Sequence, residues 1–520
     1  MTQTTESLTP GVEILHLDEM GYGPNGSMTR RAWRKACLMN LLADKEPFEV
    51  WQKQILAEHK GAEHVSFGLD VDDVERQNES WDTRDTCTLD FAGHEFSEHF
   101  DVDKFKFLLP SNFKYATFSG EAWFESANFS GEAWFDNATF SGSAWFESAT
   151  FSGYVGFESA TFSEYVWFKN AALTSGAAFR SAIFSGDAWF GSAAFGSYAG
   201  FESVIFSGHV GFESVTFSGN IGFPNATFCS GTLFESATFS ENAWFQSATF
   251  SGDVVFGKAK FVGDSLFQSA RFEKESDFEN TVFEKVGHFE EARFKTEPPS
   301  FRGVDIATTR LEFSKTMFPV NSNTQQAVDD LSFLKRLSDE HGQADQALNF
   351  NAMELRAKRL LPDAAWSFKA VTWLYEVLSD FGRSFLKPLT AYFCLLTVTY
   401  ALASGNAAFH SPKDCKGGSW RLLTDLGREE KPCNDVETKA LEGKLQLTGY
   451  RAAAEYTLFR AAGVLDFSDT GKQTDAVSRR LFGQAIEPDG MRAWGVFKAI
   501  ASTALLFLAA LGLRNKYRIK

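Results

Sequence analysis

Catalytic and ligand-holding motifs are what this chain lacks most. Its 520 residues hold no Walker A loop, no HExxH, no GxSxG and no zinc-ligand spacing, so the chemistry those patterns serve has no residues to work with. The six cysteines include no CxxC pair, and the nine histidines are dispersed, none at metal spacing from a cysteine or carboxylate. Gly21-Tyr22-Gly23-Pro24-Asn25-Gly26 matches GxGxxG, but Pro24 interrupts it. No strand-helix-strand unit surrounds it as dinucleotide binding requires, so it reads as a turn. The expectation is a protein that is not an enzyme, with no cofactor and no metal.

A basic footprint is missing too. The net charge is −17, and residues 1–106 hold 21 acidic against 11 basic residues, so no nucleic-acid partner is expected. No basic segment followed by an apolar core opens the chain, so no secretory leader is expected.

What is present is a short period. Between Phe107 and Phe294 a large residue returns at alternating steps of five and six, always Phe except at Leu173. The sum is a period of eleven, held for seventeen cycles of the form ATFSGEAWFES, the mark of a stacked repeat. Eleven residues also make about three helical turns. In a helix, however, the two Phe of a cycle would project about 140° apart and leave no single apolar stripe. Ser-Gly corners such as Ser119-Gly120 and Ser141-Gly142 would cost a helix about 1 kcal/mol each.

A solenoid of short extended segments remains. Two residues before nearly every Phe sits a small or β-branched residue, as at Ala116, Ala122, Ala127 and Val155, and alternation puts that pair on one side of the segment. Phe and its small partner then share the interior. Ser, Gly, Glu and Asn fill the corners, where side-chain-to-backbone bonds and positive φ are useful. A three-sided helix would need a uniform step of six, which the sequence does not have.

The pattern resembles the pentapeptide-repeat family, whose consensus pairs a small residue with Leu or Phe two positions on. The resemblance covers residues 89–320 and implies an all-β solenoid, a right-handed four-sided β-helix. One Phe per side then gives coils of 22 residues. Trp123, Trp145, Trp167 and Trp189 are each 22 apart and each precedes a Phe, so they should form an outward ladder and a candidate interaction face. The opposite face would carry Trp134, Gly156, Ala178, Gly200, Gly222 and Trp244. The alternative is that the ladder serves only to steady neighbouring coils.

Other regions flank the rod. Residues 1–88 form an acidic N-terminal region whose segment Thr29–His59 reads as short capping helices, since solenoids hide their open ends. After Phe294 the steps lengthen through Phe301, Ile306, Phe313 and Phe318. Residues 321–384 turn helical, with an amphipathic stretch from Ala365 to Leu378 suited to a membrane surface. Two apolar stretches follow, Pro388–Ser404 without charge and Trp494–Leu513 with only Lys498. Each has the length of a transmembrane helix, which places spans at 385–404 and 494–513. Arg383 and Lys387 before the first, and Arg514, Lys516, Arg518 and Lys520 after the second, put both termini in the cytoplasm. Residues 405–493 become an extracytoplasmic loop and 514–520 a basic cytoplasmic tail. In that loop Cys415 and Cys433 are a candidate disulfide, with two free thiols as the alternative.

The segments SFLKRLSDEHGQADQALNFNAMELRAKR, LSDFGRSFLKPL and LLFLAALGLRNKYRIK are similar to the tails of bacterial pentapeptide-repeat membrane proteins. That resemblance implies a cytoplasmic (inner) membrane protein with the rod inside the cell. The expected partners are the lipid bilayer, an unknown protein bound by the rod, and further copies of the chain if it oligomerises. The functional expectation is a membrane-anchored scaffold. The alternatives are an oligomeric two-span channel, with Ala452–Phe467 as a pore-lining candidate, and a DNA mimic that binds topoisomerase, which the rod's sparse acidity does not favour.

Overall fold

The computed structural model describes residues 37–38, 41, 48–53, 88–319, 322–408, 419–424, 427–432, 451, 453–454, 457 and 489–517. The chain divides into two compact units, Met1–Gly342 and Gln343–Lys520.

Thirty-nine two-residue strands, from Leu89–Asp90 to Leu311–Glu312, wind through the first unit. They form four parallel sheets of 11, 10, 9 and 9 strands. Partners are 22 residues apart, as in Thr139↔Thr161 and Ala144↔Val166, so one coil has four sides and takes two eleven-residue cycles. About ten coils at ~4.8 Å each stack to roughly 48 Å.

The interior is a phenylalanine crystal in miniature. Phe113 stacks on Phe135 at 4.9 Å and 1°, while Phe124 meets Phe135 edge-on at 5.5 Å and 89°, the two arrangements that aromatic quadrupoles favour. Alanines such as Ala116, Ala122 and Ala138 are fully buried beside them. Large and small residues interleave because four rings per coil leave room for only a methyl between them.

Corners come in two kinds. At one, a Ser or Asn such as Ser126, Asn137 or Ser148 takes a left-handed conformation with φ of 57–58°, closing a turn like Ala127 N to Phe124 O at 3.1 Å. The other is the Ser-Gly corner, whose glycines serve close approach. A Cβ on Gly142 would lie 2.6 Å from the carbonyl oxygen of Gly120 in the coil before. Positive φ therefore falls mainly on Ser and Asn, and glycine admits the neighbouring coil.

Both ends are covered. Residues 48–53 are helical and bring Phe48 against Phe107 at 5.5 Å and Phe105 at 5.8 Å. Gln52, wholly buried, finishes the edge: its Oε1 accepts from Leu108 N at 2.6 Å and its Nε2 donates to Lys106 O at 2.8 Å. One side chain thus substitutes for a missing strand, and satisfies groups that are costly to bury bare. Nothing in the sequence pattern singled this glutamine out.

At the far end the last coil is longer, Phe313 stacking on Phe289 at 5.4 Å across 24 residues. The extra residues pass through 302–310, where Ile306 is half-buried and Val304 takes the interior place. Helix α1 (Gln325–Glu340) then follows, its N-cap Thr324 accepting from Ala327 N at 3.1 Å. Val328, Leu331, Leu334 and Leu337 are buried at helical spacing. Asp330 is buried with them, 3.5 Å from Arg302 Nε, and burial pushes its carboxyl up to about 6.

The second unit holds α2 (Ala344–Leu360), α3 (Trp366–Ser379), α4 (Leu386–Ala408) and α5 (Asp489–Tyr517), with an antiparallel hairpin of Ser419–Thr424 and Gly427–Pro432. Asp380, Phe381 and Gly382, all at positive φ, end α3, and Asn515 Nδ2 donates to Gly382 O at 3.0 Å. Trp494 Nε1 donates to Thr399 Oγ1 at 3.3 Å, joining α5 to α4.

Candidate interaction face

The four sides of the solenoid present different outward residues. Two are mixed, with threonine recurring as at Thr117, Thr139 and Thr161 on one and Thr150, Thr216 and Thr238 on the other. Their neighbours across the coil are the sides where the sequence placed its tryptophans and glycines.

On the tryptophan side the register is the expected one: Trp123↔Trp145, Trp145↔Trp167 and Trp167↔Trp189 sit on adjacent strands. All four are half-buried. Trp145 and Trp167 stack at 3.7 Å and 7°, and Trp123 tilts against Trp145 at 6.0 Å. Trp123 also donates from Nε1 to Glu121 Oε2 at 3.2 Å. Trp189 leans over the next coil, where a Cβ on Gly211 would meet its ring carbon Cε3 at 2.8 Å. Glycine at 211 is what lets that ring lie down.

The sequence reading stopped the row too early. Beyond Gly211 the same column holds Leu233 and Val255, both half-buried, and it ends in aspartate on either side, Asp101 and Asp277. The signal was there in the same 22-residue step, but only the tryptophans were followed. Burial, the largest influence on it, raises the Asp277 carboxyl above its ordinary value.

The opposite side is a different surface. Gly156, Ala178, Gly200 and Gly222 stack between Trp134 and Trp244. Tyr198 crosses Gly200, whose added Cβ would lie 3.0 Å from its hydroxyl, and its ring reaches within 6.4 Å of Trp244. Further along this side His288, Glu290 and Glu312 bring three potential metal donors within 4.8 Å of one another. His288 Nδ1 lies 3.1 Å from Glu290 and 3.5 Å from Glu312, and Arg310 pairs with Glu312 at 3.3 Å. The group is accounted for by the contact of His288 with Glu290 and the Arg310–Glu312 ion pair.

In the second unit many large apolar residues face out, while Ala403, Leu505 and Ala509 are buried. Val496, Phe497, Ile500 and Phe507 on α5, with Phe393 and Val398 on α4, are exposed, Phe507 at 66%. Thr399, Lys498 and Ser502 are buried with no exposed surface, and Lys498 Nζ donates to Thr457 O at 2.9 Å. Leu386–Ser404 and Val496–Asn515 are long and apolar enough to cross a membrane, and only 17% and 28% of their apolar windows are buried. Helix α3 adds exposed Trp366, Val371 and Trp373. Cys415 and Cys433 lie outside the described residues, as does most of Ala452–Phe467.

Residues 103–150, 113–161 and 234–282 match the family model of pentapeptide repeats, which describes nine copies. No curated protein and no solved structure matches the chain.

Proposed function

We propose that this chain, whose solenoid is built of pentapeptide repeats, is a membrane-anchored scaffold that holds a rigid β-helix in the cytoplasm for a protein partner. The observation that carries the anchoring is the inverted burial of α4 and α5: polar Thr399, Lys498 and Ser502 are covered while Phe393, Ile500 and Phe507 are bare. A helix pair in a soluble core has the reverse order, and apolar faces of this length belong against lipid. Exposed Trp366 and Trp373 on α3, just ahead of the first span, suit the headgroup layer. The basic residues Arg383, Lys387, Arg514 and Lys516 support a cytoplasmic position for both flanks, and with them the solenoid, at the cytoplasmic membrane.

The solenoid's role is to present surface. Its interior is filled with phenylalanine, leaving chemistry to outward side chains, and the tryptophan side offers the bulkiest apolar row among them, with four tryptophans against two on the opposite side. The anchoring reading is tested by alkaline washing of membranes from cells making the full chain or a chain ending at Gly342. The full chain is expected in the washed pellet and the shorter one in the supernatant. Release of both would contradict the anchor.

A further inference from the structure

The tryptophan side has borders as well as a centre, and the borders are acidic. The backbone ladder stacks Glu121, Asp187, Asp253 and Glu275 into the row on one edge of the strip, and Glu125, Glu147, Glu213, Glu235 and Glu279 into the row on the other. With Asp103 at the start of the second row these make ten carboxylates, against which the two rows hold one lysine, Lys169, and two histidines, His209 and His99, the latter 3.8 Å from Glu121; Glu279 is paired with Arg302 at 2.9 Å. Lys258, just outside, is already paired with Glu235 at 2.9 Å. The centre is Trp123, Trp145, Trp167, Trp189, then Gly211 beneath the Trp189 ring, Leu233 and Val255, closed at each end by an aspartate. An apolar seam one residue wide, with negative charge on both flanks, calls for a ligand with an apolar seam and positive flanks.

Spacing decides which kind of ligand. Outward residues recur once per coil, every ~4.8 Å. Along an amphipathic helix, seam residues recur every 3.5 positions at 1.5 Å each, a step of ~5.2 Å. Across the six coils from Trp123 to Val255 the mismatch grows to only about half a step. An extended strand repeats its same-face residues every ~6.6 Å and falls out of register after two coils. Strand addition is also closed to it on this face, because the main-chain groups are engaged between coils, as in Phe146 N to Trp167 O at 2.7 Å and Val166 N to Asp187 O at 3.0 Å.

We infer that the tryptophan side is the docking face for a basic amphipathic helix of a partner protein, lying parallel to the solenoid axis. Its length follows from the strip: six coil steps make ~29 Å, which a helix spans in ~19 residues. Its apolar seam rides on the indoles, and lysines or arginines on both sides of the seam meet the two glutamate-rich rows. This names the partner for the scaffold proposed above and rests on that reading.

The test uses the full-length protein in nanodiscs of neutral lipid, with empty nanodiscs as the control for peptide that binds lipid. The probe is a fluorescent 20-residue peptide with leucines at the two seam positions of each heptad and lysines beside them. It is compared with a scramble of the same composition that has no apolar face. Anisotropy should show binding to the seam peptide that weakens with salt, and the indole fluorescence should shift on binding. Trp145→Ala should weaken binding about tenfold or more, the cost of truncating an aromatic anchor. Combined Glu125→Lys, Glu147→Lys and Glu235→Lys, all at surface positions, should abolish binding without unfolding the coils. Equal affinity for the scramble, or binding indifferent to the charge reversal, would overturn the inference. If the alkaline wash released the full chain, the same titration of the protein in solution would test this inference, so the two readings fail separately.

Discussion

The two units of this protein sort their side chains in opposite senses. In the solenoid, Phe124, Phe135 and Phe157 are wholly buried while Glu121 and Glu125 face solvent. In the second unit, Phe393 and Phe507 are bare, and the buried positions of α4 and α5 include Thr399, Ser502 and Lys498. One hydrophobic effect accounts for both, provided that the surroundings differ. Water drives the Phe of the coils inward at ~25 cal/mol per Å², whereas against lipid an apolar surface has nothing to gain by hiding. The same amino acid therefore reports its solvent by the direction it points.

The sharpest way to break that comparison is to shorten one phenylalanine on each side of it. Phe179→Ala opens a hole among the rings of Phe157, Phe168, Phe190 and Phe201, and should cost about 3–5 kcal/mol, read as a lower unfolding midpoint of the full protein. Phe507→Ala should cost less than about 1 kcal/mol in a bilayer, because lipid replaces the lost contacts. Equal losses would put Phe507 in a protein core.

A smaller effect sharpens the comparison from inside the first unit, where one buried group breaks its own rule. Asp330 sits on the buried face of α1 with its carboxyl raised to about 6 from an ordinary 3.8 by burial, against the pull of Arg302. The folded protein thus binds this proton more tightly than the unfolded chain does. Stability from this group is fullest below about pH 4, falls as the pH rises to about 6, and is level beyond. Asp330→Asn should remove that fall and gain on the order of 2 kcal/mol at neutral pH, with Arg302 keeping Glu279 at 2.9 Å. Denaturation curves across pH 4–7 would show it. Parallel curves for the two proteins would mean that Asp330 is ionised at no cost.

The solenoid was legible because its code is local and redundant. A five-six step fixes four sides, and the 22-residue coil fixes who stacks on whom, which is why Trp145 lies on Trp167 as the spacing required. The apolar length of α4 and α5 was legible for a similar reason, since a run of uncharged residues needs no partner to be recognised. What escaped the sequence depends on single contacts over long separations. Gln52 closes the edge at Leu108 across 56 positions, and no period marks it. Arg302 finds Asp330 only because α1 comes back to the last coil. Gly211 looks like any corner glycine until Trp189 is seen lying across it. Leu233 and Val255 were within reach of the same 22-residue count, but their sizes differ from tryptophan and the column was not followed through them.

Two native cysteines give the most direct measurement of the inverted arrangement. Cys229 is exposed on the solenoid and Cys394 is exposed on α4, so a water-soluble maleimide distinguishes them by what surrounds each thiol. With the full protein in nanodiscs, and peptide mass spectrometry to read each site, Cys229 should be alkylated at once and Cys394 only after detergent denaturation. Alkylation of Cys394 in the intact bilayer as fast as Cys229 would contradict the account, because it would place water where lipid is required.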